Sequence, residues 1–189
     1  MYSDIPGNTI AVFQRAIHEL ENDQEYRYSE CDLRETKDGE IVVFHDWDIG
    51  QLVPNSKHNQ KVLGVSHVGP IPINELKMEQ IESLELVGGQ KIPTLEEVLE
   101  CAVQLELQKP LLLEIKVLHS DAGRSKAISL ATKYRDQSNL EIHFLAFRRN
   151  ISRSFPDEKA WLKRFAEEGF RVYQVYRPKT KEYDLCETW

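Results

Sequence analysis

The chain has 189 residues, 41% hydrophobic and 29% charged, enough for one well-packed domain spanning 1–189 and ordinary for a globular protein. Its 24 basic residues face 31 acidic ones, a net charge of −7 at pH 7, which argues against nucleic acid as a partner because such binding rests on a basic face that neutralises phosphates. No apolar run approaches the roughly 18 residues that cross a bilayer, Met1 to Asp4 carry no signal-peptide pattern, and Cys31, Cys101 and Cys186 are too dispersed for a disulfide framework or zinc knuckle, so a cytoplasmic setting is expected.

In chain order, residues 8–21 read as a helix with Ile10, Phe13, Ile17 and Leu20 on its apolar stripe and Asn8 or Thr9 as its cap. A strand over 28–35, a turn at Lys37-Asp38-Gly39 and an extended run over 40–45 predict a hairpin. Residues 46–73 hold Pro54, Gly64, Gly69, Pro70 and Pro72 without long periodicity and read as an irregular insertion, a kind of segment that is often functional. Thr94 and Glu97 form a capping box that opens a helix running to about Leu107. Then follow a strand over 111–117, a helix over 124–137, a strand over 141–147, a helix over 157–168 closed by Gly169, and a strand over 172–176. This alternation predicts an α/β fold with a parallel sheet. The basic residues Arg148, Arg149, Arg153, Lys159, Lys163 and Arg164 read as a solvated helix face in preference to a phosphate or partner patch.

Two strands break the rule that central parallel strands are continuously apolar. Alternation puts Glu30 and Asp32 on one face of the first strand, with Cys31 and Leu33 opposite. In the same way Glu114 and Lys116 oppose Leu113, Ile115 and Val117. Buried carboxylates must be paired, hydrogen-bonded or bound to metal. One reading is structural ion pairing of Lys116 with Glu30 or Glu114. The favoured one, because both strands show the pattern, is a site for a hard cation, Mg²⁺ or Ca²⁺, held by Glu30, Asp32 and Glu114 on a barrel's inner face. His45 ends the hairpin beside the carboxylate pair, where general acid–base chemistry would need it. His18, His58, His67, His119 and His143 lack such context, and Trp47 is placed to line a pocket.

These residues, in this order, resemble the glycerophosphodiester phosphodiesterase family. The matching pieces are the stretch from Pro6 to Phe13, Glu30-Cys31-Asp32, Thr36-Lys37-Asp38-Gly39, Val42-Val43-Phe44-His45-Asp46, Ile92-Pro93-Thr94-Leu95-Glu96-Glu97 and Glu114-Ile115-Lys116, over about residues 5–150. The resemblance implies a TIM-type (β/α) barrel of the phospholipase C-like phosphodiesterase kind. It also implies metal-dependent hydrolysis of glycerophosphodiesters to an alcohol and glycerol phosphate, within phospholipid turnover. It makes Glu30, Asp32 and Glu114 the metal ligands, His45 one of two catalytic histidines and Lys116 a substrate-binding residue, with the insertion after His45 on the substrate side.

The family's His-Arg-Gly motif is not found before Pro6, Gly7 stands where the family has glutamate, and the late barrel strands are not found. The expected fold is therefore an incomplete or reduced barrel whose open edges invite a second copy of the chain. Two other readings remain: a non-catalytic derivative that binds a phosphodiester or a partner, and a lipase of the sphingomyelinase or phospholipase D type.

Overall fold

The computed structural model describes the backbone of residues 6–175 and 185–188, and side chains as far as Tyr173. Helix α1 (Ile10–Leu20) leads into the hairpin of β1 (Ser29–Glu35) and β2 (Ile41–Val43). The insertion carries α2 (Lys57–Leu63) and α3 (Met78–Ser83), and α4 (Leu95–Gln104) follows. Next come β3 (Leu111–Val117), α5 (Asp121–Gln137), β4 (Ile142–Phe147), α6 (Arg148–Ser154), α7 (Glu158–Glu167), β5 (Val172–Val175) and β6 (Leu185–Thr188).

The strands form one sheet in the order β2-β1-β3-β4-β5-β6. The run β1-β3-β4-β5 is parallel, and β2 and β6 pair antiparallel at its two edges. This is an arc of the expected TIM-type α/β barrel, and among the described residues it does not close into a ring.

Alternation sends Cys31 and Leu33 of β1, Leu113 and Ile115 of β3, and Phe144 and Ala146 of β4 to one face. They meet Phe13 and Ile17 of α1, Leu95 and Leu99 of α4, Ile128 of α5 and Phe165 of α7 in a single core. Phe144 anchors it, its ring 4.7 Å from Phe165 and 5.2 Å from Phe170. Full burial of each such side chain contributes about 1.5–3 kcal/mol. The opposite face carries Glu30, Asp32, Glu114 and Lys116. Towards β5 it carries a smaller apolar cluster of Leu112, Leu145, Phe147 and Tyr173.

The local signals were read correctly in several places. Thr9 caps α1, its hydroxyl accepting from Val12 N, and the Thr94–Glu97 capping box opens α4 with both of its hydrogen bonds formed. Gly169 takes φ +80° behind α7, in the left-handed conformation that glycine adopts without steric cost.

The insertion differs from the expectation. It contains α2, capped by Ser56 and closed by Gly64, and continues to Ile92 around a second hydrophobic core. Ile49, Val53, Ile73, Ile81 and Leu84 pack there against Val42 and Phe44, while Ile41 and Val43 belong to the first core. Both faces of β2 are therefore buried. Helix α4 stops at Gln104 rather than Leu107, because Glu106 turns to φ +52°. Helix α6 and strand β6 were not anticipated, and Tyr176, the last residue of the expected final strand, lies outside the described residues. No helix among the described residues is long and apolar enough to cross a membrane.

Candidate metal centre

Strands β1 and β3 pair with Asp32 beside Glu114 and Glu30 beside Leu112. This register brings one carboxylate oxygen each from Glu30, Asp32 and Glu114 within 4.8 Å of one another. Lys116 reaches into the same group, its Nζ 2.5 Å from Glu114 Oε1 and 2.8 Å from Asp32 Oδ1. The structure thus gathers four of the five expected residues at one point on the inner face. The ion pairs that form are Lys116 with Glu114 and Asp32, not with Glu30.

The register slips by one residue between Leu33 and Arg34, so that Arg34 pairs with Val117 and Lys116 has no partner across the ladder. Without that slip Arg34 and Lys116, two cations on the same face, would stand directly opposite. The irregularity separates them and leaves Lys116 to the carboxylates, as such irregularities beside active sites commonly re-aim a side chain.

The electrostatics are those of a site with too many carboxylates for its cations. Burial, followed by the charges of Asp32 and Glu114, raises the Glu30 carboxyl from 4.5 to about 8, with Lys116 opposing. Burial raises Glu114 as well, offset by its hydrogen bond from Lys116 and, to a smaller degree, by His45. Burial works against the charge of Lys116, yet its contacts with Asp32 and Glu114 outweigh it and raise its pKa. Asp32 Oδ1 is buried, and Lys116 Nζ lies 2.8 Å from it.

A divalent cation fits these residues. Converging hard oxygens, three carboxylates against the single ammonium of Lys116, and a carboxyl pushed towards its protonated form by its neighbours are all relieved by a hard positive ion.

Two residues that sequence spacing did not reveal complete the centre. Asn8, at φ +59°, donates from Nδ2 to Asp32 Oδ2 (2.7 Å) and accepts from Asp32 N at its Oδ1 (3.1 Å). It was a candidate cap for α1, and the matching Pro6–Phe13 stretch was the only signal that marked it. Arg34 is buried on the inner face and holds the His45 carbonyl with Nη2 at 2.6 Å and Nε at 3.3 Å. Burial lowers its pKa against the pull of Asp32, Asp46, Glu114 and Asp48.

His45 stands just beyond β2 with its ring largely exposed, and its Nδ1 lies 2.8 Å from Asp46 Oδ1. Trp47 lines a crevice with Arg34, Ile73 and His119 of about 10 Å³, no larger than one water. A cavity of about 440 Å³ is lined by Val103, Leu107, Gln137 and Leu140. It opens at the loops that enter β3 and β4, the far end of the strands from Lys116, and contains none of these residues.

The model of the glycerophosphoryl diester phosphodiesterase family matches residues 1–185. A curated relative, "Probable glycerophosphodiester phosphodiesterase 2" of Mycobacterium tuberculosis, is 33% identical over 95 residues, 50% of this chain and 29% of that protein. A solved glycerophosphodiester phosphodiesterase candidate from Galdieria sulphuraria has a TM-score of 0.65 at 24% identity, covering 94% of this chain and 63% of its own. An Oleispira antarctica phosphodiesterase, solved in complex with the product sn-glycerol-3-phosphate, has a TM-score of 0.56 at 18% identity, covering 92% of this chain and 71% of its own. At such identities the structures speak to the fold alone. The chain spans less than two thirds of the first two relatives' length. With the family model matched along nearly the whole sequence and the matching motifs assembled at one site, the chain belongs to the glycerophosphoryl diester phosphodiesterase family.

Proposed function

We propose that the chain carries the metal centre of a phosphoric diester hydrolase that cleaves glycerophosphodiesters to an alcohol and glycerol phosphate. The observation that supports it best is the convergence of the Glu30, Asp32 and Glu114 oxygens within 4.8 Å beside Lys116, in a member of this family. These three residues would hold one divalent cation, Mg²⁺ or Ca²⁺. When bound, such an ion supplies a Lewis acid for the phosphoryl oxygens.

The chain's own residues do the rest. Asn8 fixes Asp32 at its carboxylate and at its backbone N–H. Lys116 holds Glu114 and Asp32 and offers its remaining N–H to a phosphoryl oxygen. With Asp46 holding Nδ1, the His45 ring keeps Nε2 for the proton that moves between the attacking water and the leaving alcohol. Arg34, gripping the His45 carbonyl, sets where that ring stands.

A reducing, cytoplasmic setting suits Cys31 and Cys101, both buried and free. Strand β2 is short and bridged to Thr94. The β6 edge is then the one that a second copy of the chain would pair with.

The test is a thermal melt in EDTA, Mg²⁺ or Ca²⁺ beside hydrolysis of glycerophosphocholine. A cation-dependent rise in Tm with product release is expected. A rise without product would instead mean a binding derivative of the fold, and no rise would mean that the carboxylates are structural.

A further inference from the structure

Building on that reading, charge balance at the metal centre raises a question of its own. Three carboxylates meet there. Lys116 brings one positive charge and a divalent cation brings two, so the loaded site is neutral. A phosphodiester is an anion, and the whole chain is itself negative at −7. Some positive charge not already committed to a carboxylate must draw the substrate in.

Most nearby cations are committed. Lys116 is shared between Asp32 and Glu114. Arg34 is buried, bonded to the His45 carbonyl, and lies in the field of Asp46 and Asp48. Arg124 is buried against Leu118 O, Ser154 O and Asp121.

Arg149 is different. It lies at the C-terminal end of β4, in the first turn of α6, and is exposed. Its guanidinium sits 6.0 Å over the Phe147 ring, and the Lys116 Nζ sits 5.9 Å from the same ring. One aromatic side chain on the inner face therefore carries the centre's lysine and this arginine together. Among the described residues no carboxylate pairs with Arg149.

The backbone beneath it is fixed. Asn150 and Ile151 are buried, and Ser154 Oγ accepts from Leu118 N at the end of β3. A planar guanidinium on a firm base, set over an aromatic ring and with no carboxylate partner among the described residues, is well built to take two oxygens of a phosphate.

We propose that Arg149 is a substrate-binding residue that receives the anionic phosphoryl oxygens of the diester and supplies the net positive charge that the metal centre lacks. Its role is to hold the anion, while His45 handles the proton.

The experiment uses the full chain with saturating Mg²⁺ and compares wild type with R149Q, R149K and R153Q, the last removing an exposed arginine from the same helix. It reads KM and kcat for glycerophosphocholine, and the concentration of sn-glycerol 3-phosphate needed to raise Tm. R149Q is expected to raise KM and the product concentration about tenfold, the loss typical of one charge-assisted contact, with kcat changed much less. R149K should recover part of this, and R153Q should match wild type. R149Q values equal to those of R153Q, or a fall in kcat at unchanged KM, would overturn the role of Arg149 and leave the hydrolase reading standing. A wild-type chain that neither turns over substrate nor responds to glycerol 3-phosphate would overturn both.

Discussion

Asn8 and Asp32 hold each other by a reciprocal pair of hydrogen bonds, Asn8 Nδ2 to Asp32 Oδ2 at 2.7 Å and Asp32 N to Asn8 Oδ1 at 3.1 Å. Asparagine suits the position twice, because it tolerates the left-handed φ of +59° and offers a donor and an acceptor in one plane. Outer partners of metal ligands typically govern affinity by about 10–100-fold. Asn8→Ala should weaken Mg²⁺ or Ca²⁺ binding within that range and, because alanine is strained at this φ and makes neither bond, also lower the melting temperature in EDTA, as isothermal titration and thermal melts will show.

Removing a ligand should do more. Glu30→Ala and Glu114→Ala are expected to abolish the cation-dependent rise in Tm. A ligand at a hundred times its Kd stabilises by about 2.7 kcal/mol, so the loss is easily read. Stabilisation by cation that survives in both variants would refute the assignment of the centre.

His45→Ala should leave cation stabilisation intact and lower turnover by about 10²–10⁴-fold, the usual contribution of a positioned acid–base group. Asp46→Asn should lower it less, because Asp46 holds the ring at Nδ1 but does not itself move the proton. Single-turnover rates from pH 5 to 9 will measure both.

The Glu30 carboxyl gives the metal-free protein a pH signature. Its pKa is about 8 in the fold against an ordinary value of 4.5, so between these limits the folded chain keeps a proton that the unfolded chain has released. Stability tied to this group is full below about pH 4.5, declines as pH rises through the window and is gone above about 8. Urea midpoints in EDTA should therefore fall from pH 5 to pH 9, and Glu30→Gln should flatten the slope. Because a cation displaces the same proton, Mg²⁺ affinity should rise over that interval.

Gly123 lies in the first turn of α5, where a Cβ would stand 2.3 Å from Glu35 Cδ. Glu35 is buried and accepts from His119 N, Ser120 N and the Ser120 hydroxyl, so it ties the end of β1 to the start of α5. Gly123→Ala should cost about 1–3 kcal/mol by overpacking, read from urea denaturation. The cation-induced change in Tm should persist.

Much of this was legible in the sequence because it is written in short-range pattern. The charged face of residues 111–117, the Thr94–Glu97 box and the Asp38-Gly39 turn each depend on neighbours within a few positions, and each appears in the fold. The cluster of Glu30, Asp32 and Glu114 was legible because two strands broke the same rule.

What stayed hidden depends on contacts between distant residues. Asn8 bonds a residue 24 positions away, and nothing in local spacing says that it will leave the capping role to Thr9. Arg34 was visible as a charge on the same face, but its hold on the His45 carbonyl depends on how the hairpin closes. The insertion looked irregular because its apolar residues are spaced to fit the Val42 and Phe44 face of β2 rather than any helical or strand period. Helix α6 has seven residues and no side-chain cap, and it starts directly at the end of β4, so neither length nor punctuation announced it.

Strand β2 is a shared wall, with Ile41 and Val43 set in one core and Val42 and Phe44 in the other. A wall of this kind cannot yield on one side alone. A shift of the insertion is carried through three residues of strand to His45 at its end, and Arg34 grips that end from within the barrel. Sequence changes in the insertion will therefore be felt at His45 as well, so if His45 moves the proton as proposed, selectivity and rate should drift together along this segment instead of evolving apart.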